Sequence, residues 1–258
     1  MLEQLVRRGP VLLCLDYDGT IAEIVSRPGL ARPVEGVVAA LKSVARHRDR
    51  IVSAIVSGRP IAELRRMTGL GGEVMFAGVH GLEIAGRDGT VRVPDQVARC
   101  AAEIERVRDF LARNVPSDAG FEIEDKRLSV ALHYRNAEPA DAESLCARME
   151  EFLHANAPSL RAAHNKMVLE ALPAIASKGG ALRVLAEEVG SGFVPVYFGD
   201  DRTDEDAFAE IENRGVGVMV GEPRPSHARW RVDTPADVAR IVIDLARALD
   251  SGDTKGSA

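Results

Sequence analysis

Cysteine is scarce in this sequence, positive charge is not in excess, and no apolar run approaches the length of a membrane span. Each absence excludes something. The three cysteines, Cys14, Cys100 and Cys146, are odd in number and lack metal-type spacing, so neither a disulfide framework nor a thiolate metal site is expected. They lie in apolar patterns and read as small core residues in a reducing compartment. The 33 basic residues are outnumbered by 39 acidic ones, a formal charge of −6. That balance argues against a nucleic-acid or other polyanionic partner, while leaving room for a local basic pocket. Residues 1–8 carry no apolar signal region before a small-residue cleavage site. No membrane partner is expected, and the sequence points to a cytoplasmic protein. Internal repeats and low-complexity segments are also missing.

What is present is a core. With 258 residues, 46% of them hydrophobic and 28% charged, the chain suits one large domain or a core with a smaller insert. Residues 11–15 are five apolar residues in a row, the pattern of a fully buried strand. Val34, Val37, Val38, Leu41 and Val44 then recur at helical spacing, followed by a buried strand at 51–56 and a helix opened by Pro60. A third strand at 73–77 leads into a hairpin, 82–85 and 90–93, about the turn 86–89. From Asp95 the style changes: a helix over 95–114, strands at 121–125 and 127–134, a helix through Leu145, Met149 and Phe152, and a strand at 166–171 closing at Pro173. This helix-plus-antiparallel segment reads as an inserted domain. The alternating rhythm resumes with a helix capped by Ser177 and starting at Lys178, a strand at 193–198, a short strand near 216–220, and a terminal helix with Val238, Ile241, Val242 and Leu245. Residues 251–258 are small and polar and are expected to be disordered.

Apolar strands end in acidic or hydroxyl groups at Asp16 and Asp18, at Ser57, and at Asp200 and Asp201, and Lys178 begins the helix before the last of these. Alternation along a strand puts Asp16 and Asp18 on one side if the extended geometry persists. Asp and Gly are also ordinary turn residues, so the first cluster alone does not define a site. Several such ends on one edge of a parallel sheet do, because ligands bind there. Crowded carboxylates repel unless a cation joins them, and oxygen donors without added His or Cys favour Mg2+. Asp16, Asp18 and Asp200 are the expected ligands, with Asp201 and Asp204 orienting them or the bound waters. Thr20, Ser57, the backbone N–H groups around Gly19 and Gly58, and the charge of Lys178 would hold a phosphoryl group. Asp16 is the expected nucleophile, giving an aspartyl-phosphate that water hydrolyses. Asp18 would protonate the leaving oxygen and later deprotonate the water, a role that burial and neighbouring carboxylates would favour by keeping its acid form available.

Asp16-Tyr-Asp18-Gly-Thr20, Ser57, Lys178 and Gly199-Asp200-Asp201-Arg-Thr-Asp204 match the four motifs of the haloacid dehalogenase superfamily, which this chain resembles. Within it the chain resembles the trehalose-6-phosphate phosphatases, nearly end to end. The more specific marks are Ser57-Gly58-Arg59, Gly78-Val-His80-Gly81-Leu-Glu83, Glu124-Asp-Lys126, His133-Tyr134-Arg135, Val168-Leu-Glu170 and Ser177-Lys178-Gly179. The resemblance implies an α/β fold with a Rossmann-like core over residues 1–94 and 174–258 and an α/β cap over 95–173 that closes over a disaccharide phosphate. It implies Mg2+-dependent hydrolysis to trehalose and inorganic phosphate, with any partner synthase a separate protein. One position departs from the family's pattern: a basic residue usually precedes the proline after the cap glutamate, and here Leu172 precedes Pro173.

Alternation in the inserted strands places Glu122, Glu124 and Lys126 on one face, Leu128, Val130 and Leu132 on an apolar face, and Lys166, Val168 and Glu170 in a third row. Carboxylates accept from sugar hydroxyls and Lys donates, so Glu124, Lys126 and Glu170 form a candidate hydroxyl clamp. Arg127 and Ser129 read instead as a solvated face. His80, between glycines at a strand end, reads as a ligand group. Arg59 and Arg135 read equally as substrate contacts or as partners of nearby acids. Trp230 reads as packing against the core. Two alternatives stay open: a phosphatase of the same superfamily acting on a sucrose-, mannosylglycerate- or hexose-type phosphate, and a phospho-accepting signalling module.

Overall fold

The computed structural model describes residues 2–165 and 167–252. The chain divides into two compact units, residues 1–92 with 177–258, and residues 93–176.

The first unit is built on strands whose residues are buried on both faces. Val11–Leu15 (β1) and Ile51–Val56 (β2) are buried throughout. With Met75–Gly78 (β3), Glu83–Ala85 (β4), Val91–Arg92 (β5), Val194–Gly199, Val216–Val220 and Trp230–Val232 they form one eight-stranded sheet. The last three strands pair parallel, in order, outward from β1, and β2 and β3 pair parallel on its other side. Only β4 runs against the others, pairing antiparallel with β3 and with β5. Alternation along β1 splits the core. Val11, Leu13 and Leu15 join a cluster with the helices Val37–Val44, Ile61–Thr68 and Pro235–Ser251. Leu12 and Cys14 join the opposite cluster with Lys178–Val189 and Glu205–Ile211. The N-terminal helix Leu2–Arg8 adds Leu2 and Val6 to the first cluster.

The second unit carries a four-stranded antiparallel sheet. In chain order its elements are the helices Asp95–Arg99 and Ala101–Asn114, Glu122–Asp125 (β6), Val130–His133 (β7), the helix Pro139–Asn156, Leu160–Asn165 (β8) and Val168–Pro173 (β9). In sheet order the strands are β6, β7, β9 and β8. Val130, Leu132, Leu169 and Ala171 pack against Ile104, Val107, Leu111, Leu145 and Met149 of the helices. Phe110 and Phe152 stack across those helices with ring centroids 4.4 Å apart. For the remaining elements, β10 is Val194–Gly199, β11 is Val216–Val220 and β12 is Trp230–Val232.

Several local expectations change. The helix expected over 95–114 is interrupted at Cys100, the C-cap of one helix and N-cap of the next. Residues Leu2–Arg8, β8, β12 and the helix Glu205–Ile211 were not expected as elements. In β8, Ala162 and Ala163 weaken any alternation, so only its pairing with β9 makes it a strand. Trp230 does not pack into the core: it stands on the outermost strand and is 56% exposed. Ser129, expected on a solvated face, is fully buried. The terminal helix continues through Ser251, and the remaining expected disordered residues, 253–258, lie outside the described residues, as does Lys166. Among the described residues no helix is long and apolar enough to cross a membrane.

Leu13 has no solvent exposure and lies at the centre of the strand that leads to Asp16. Leu13→Ala is expected to destabilise the first unit by about 2–5 kcal/mol in urea unfolding. A loss below about 1 kcal/mol would contradict the packing described for β1.

Candidate active site

The face assignment of β1 decides where its aspartate points. Asp16 follows Leu15 with Leu12 and Cys14 on its own parity, the side covered by the helix Lys178–Val189. Its backbone N–H continues the pairing with β10 by donating to Phe198 O at 2.9 Å. The Lys178 ammonium at the start of that helix lies 3.0 Å from Asp16 Oδ2 and donates to Asp204 Oδ1 at 2.7 Å. Ser177 holds the helix start in place, its Oγ accepting from Gly180 N–H at 3.2 Å.

Asp204 is fully buried. Its Oδ1 also accepts from Tyr197 Oη at 2.7 Å, and its Oδ2 accepts from Asp201 N–H at 2.9 Å. Asp201 in turn caps the short turn Arg202–Asp204, completing a capping box with Asp204. Asp201 thus acts on the site through Asp204. Tyr197 was not foreseen. It sits within an apolar run, where its hydroxyl is invisible to periodicity, but a buried tyrosine needs a partner and that requirement was the available signal.

Asp16, Asp200 and Asp204 each bring a carboxylate oxygen within 4.8 Å of the others. Asp200 Oδ1 is buried with no hydrogen-bond partner among the described residues. Gly19, at φ +75°, makes room for this carboxylate, since a Cβ there would lie 2.0 Å from Asp200 Oδ2. Three carboxylates against one ammonium leave excess negative charge. Burial, with Asp204, Asp200 and Asp18 nearby, pushes the Asp16 carboxyl well above its usual range despite Lys178. Burial and Asp204 likewise push Asp200 up to about 7. For Lys178 burial works against the charge, but Asp16 and Asp204 more than offset it and raise its pKa. An orphaned buried carboxylate oxygen, oxygen-only donors and unbalanced negative charge fit a hard divalent cation. Because Asp204 already accepts from Lys178, Tyr197 and Asp201, Asp16 and Asp200 have the greater capacity for that cation.

Asp18 does not join them, so the expected ligand set of Asp16, Asp18 and Asp200 is not the set the fold brings together. The strand ends at Leu15 and the chain turns, with Ile21 and Ala22 N–H both donating to Tyr17 O. The extended geometry that would align the two aspartates is lost. Arg59 instead grips Asp18 with both arms, Nε to Oδ2 at 2.6 Å and Nη2 to Oδ1 at 2.8 Å. Its Nη1 donates to Glu63 at 2.5 Å, and its guanidinium lies 5.4 Å from the centre of the Tyr17 ring. The burial and carboxylate crowding expected at Asp18 are found at Asp16 and Asp200, while the Asp18 side chain is 40% exposed.

The hydroxyls are well placed for an anion. Thr20 Oγ1 is buried without a hydrogen-bond partner among the described residues. Ser57 is buried and its Oγ accepts from Arg59 N–H at 3.2 Å, which leaves the hydroxyl proton free to donate. His80 is buried over Gly58: a Cβ on that glycine would lie 2.7 Å from His80 Nε2.

In the second unit, the polar face of the sheet has its own network. Glu170 is fully buried and accepts from Ser129 Oγ at 2.6 Å and from Lys126 Nζ at 3.1 Å. The Ser129 hydroxyl is therefore a partner of the acid and not a solvated group. Glu124 shares a 2.8 Å contact with His133 Nε2; burial favours its acid form, but His133 and Lys126 outweigh that and lower its pKa. Across the strands the register runs Glu124, Ala131, Glu170, Ala163, so small side chains separate the two acids. Arg135 lies beyond the end of β7, exposed, and makes no hydrogen bond or ion pair among the described residues. Leu172 is fully buried on β9, facing Arg161 in register.

A strand-end aspartate thus lies beside a buried lysine on a parallel α/β sheet, with an acidic loop at the neighbouring strand end, on the edge where such sheets bind ligands. The trehalose-phosphatase family model matches residues 14–236, and the chain belongs to that family. It is 35% identical over 247 residues to a trehalose-phosphate phosphatase of Mycobacterium ulcerans, covering 92% of this chain and 61% of that protein. It is also 35% identical over 246 residues to an uncharacterised glycosyl hydrolase of Mycobacterium tuberculosis, covering 90% of this chain and 18% of that protein. The chain thus spans 61% of the length of one of these relatives and 18% of the other. In fold it is similar to the C-terminal domain of a C. albicans trehalose-6-phosphate phosphatase, with a TM-score of 0.81, 22% identity and 95% of each chain covered.

The raised pKa values of Asp16 and Asp200 have a sign that can be measured. Each holds its proton more tightly folded than unfolded, so the metal-free protein loses stability as pH rises from the unfolded carboxyl range through about 7. The metal-free thermal midpoint is therefore expected to fall between about pH 5 and about pH 7.5. A divalent cation should restore it, more at the higher pH than at the lower. A flat profile, or equal restoration at both values, would contradict this electrostatic account.

Proposed function

We propose that the protein hydrolyses trehalose 6-phosphate to trehalose and inorganic phosphate, with Mg2+ at the strand-end carboxylates and a phosphoryl group carried transiently on Asp16. The observation that carries this reading is the buried Asp16 carboxylate, 3.0 Å from the Lys178 ammonium and beside the partnerless buried oxygen of Asp200. Membership of the trehalose-phosphatase family supports the choice of substrate. Bound Mg2+ would neutralise charge on the phosphoryl oxygens and on Asp16.

An Asp16 oxygen attacks phosphorus in line, and the bond from phosphorus to the sugar oxygen breaks. Asp18 delivers the proton that the leaving oxygen needs, then takes one from the water that attacks the aspartyl-phosphate, which releases phosphate and regenerates the Asp16 carboxylate. To serve either step Asp18 must leave its bidentate pair with Arg59. Lys178, Thr20, Ser57 and the Gly58 N–H hold the phosphoryl oxygens. Asp204 and Asp201 keep Lys178 and the acidic loop in position. We read residues 95–173 as the sugar-recognition cap, with Glu124, Lys126 and Glu170 taking sugar hydroxyls and Arg135 a further contact. The buried thiols support a reducing, cytoplasmic setting. Leu172, where relatives of this family carry a basic residue, favours a second reading in which another sugar phosphate is the preferred substrate.

Phosphate release should require a divalent cation and be fastest with trehalose 6-phosphate in a panel containing sucrose, mannosylglycerate and hexose phosphates. Equal or faster turnover of another member would replace trehalose as the substrate. Asp16→Asn is expected to reduce turnover to background while circular dichroism shows the fold retained, with a shifted thermal midpoint, because it removes both the attacking oxygen's charge and one of the two carboxylates facing Lys178. Substantial residual turnover would exclude Asp16 as the nucleophile.

A further inference from the structure

Between β3 and β4 the chain passes through a conformation that L-residues avoid. Val79, His80 and Gly81 have φ values of 48°, 54° and 91°, a single left-handed turn that includes a β-branched residue. Such a turn persists only where its surroundings dictate it. Here they do, from two sides. Val79 N–H donates to Arg59 O and His80 N–H donates to Ser57 O, both at 3.0 Å. Glu83, just beyond the turn, accepts from Ile61 N–H at 2.8 Å, capping the helix that follows Arg59. On the other side, a Cβ on Gly81 would lie 2.8 Å from Ala181 Cβ and 2.9 Å from Ser177 O, at the start of the helix that presents Lys178. The turn therefore fills the space between the Ser57–Arg59 backbone and the Lys178 helix.

From this geometry we infer that the left-handed turn is a spacer setting the Ser57–Gly58 backbone against Lys178, and that His80 is its positioning residue, acting by packing on Gly58. The inference rests on the phosphatase reading for what the positioned groups hold. It replaces the reading of His80 as a ligand contact. The ring lies so close over Gly58 that a Cβ there would sit 2.7 Å from Nε2 and 2.8 Å from Cε1. That contact gives His80 a structural job that needs no ligand. It also explains why a glycine stands at position 58, whose backbone is not among those with positive φ.

The test is a double-mutant cycle on the full chain. His80→Gly removes the ring at a position whose positive φ glycine adopts freely, so its effect is not one of added backbone strain. Gly58→Ala should lower the thermal midpoint by forcing the ring away, and adding His80→Gly should restore most of that loss. Additive losses would overturn the packing account. Kinetics separate positioning from ligand contact. With Mg2+ present, His80→Gly should lower kcat for trehalose 6-phosphate and for p-nitrophenyl phosphate by the same factor, about tenfold to a hundredfold, with KM nearly unchanged. A rise in KM confined to the sugar phosphate would identify a sugar contact and overturn the proposal. If the unaltered protein hydrolyses only p-nitrophenyl phosphate, the sugar assignment fails while the His80 comparison still stands on that substrate. Should Gly58→Ala fail to fold, recovery of a folded double variant supports the packing and its absence opposes it.

Discussion

The Lys178 ammonium, held between Asp16 and Asp204 at 3.0 and 2.7 Å, is the joint on which the site depends. It ties the end of β1 to the loop after β10 and to the start of the helix that packs beneath both. Burying an ammonium is costly unless its partners compensate, and here the compensation comes from two carboxylates that are themselves buried. Tyr197 and the Asp201 N–H add to the shell around Asp204, so most of that acid's acceptor capacity is used and it serves as an anchor. The remaining excess of negative charge falls on Asp16 and Asp200, which is where a divalent cation has most to offer.

Much of this architecture was legible in the residues themselves. β1 is an uninterrupted apolar run and β2 is broken only by Ser53, and a parallel sheet buried on both faces leaves that mark. Asp16 and Ser57 could be found because each directly follows such a run, Asp200 because it follows one after Gly199, and Lys178 because it opens a helix after its Ser177 cap. The direction taken by Asp18 could not. It depends on a turn closed by backbone hydrogen bonds to Tyr17 O and on an arginine that lies 41 positions away in sequence. Tyr197 was hidden for a related reason: an aromatic residue in an apolar run counts as hydrophobic until its hydroxyl is given a partner. Trp230 failed in the opposite sense, since its size suggested burial but its strand is the last in the sheet.

In the second unit the same alternation hid a network. Ser129 and Glu170 occupy positions that a half-solvated antiparallel sheet would normally show to water, yet both are fully buried and bonded to each other. A buried carboxylate with a hydroxyl and an ammonium as partners is held rigidly. Glu124, separated from it by Ala131, is held in turn by His133.

The division of β1 between two cores carries a consequence for how this sequence can change. Odd-numbered residues of the strand belong to one cluster, even-numbered residues to the other, and Asp16 takes its direction from that count. A single inserted or deleted residue between Pro10 and Asp16 would exchange the two sets and turn the carboxylate away from Lys178, even though every apolar residue remained apolar. A change of two residues would preserve the direction. The strand therefore behaves as a parity register: its composition can drift among aliphatic residues, whereas its length can vary only in even steps if the aspartate is to keep facing its lysine.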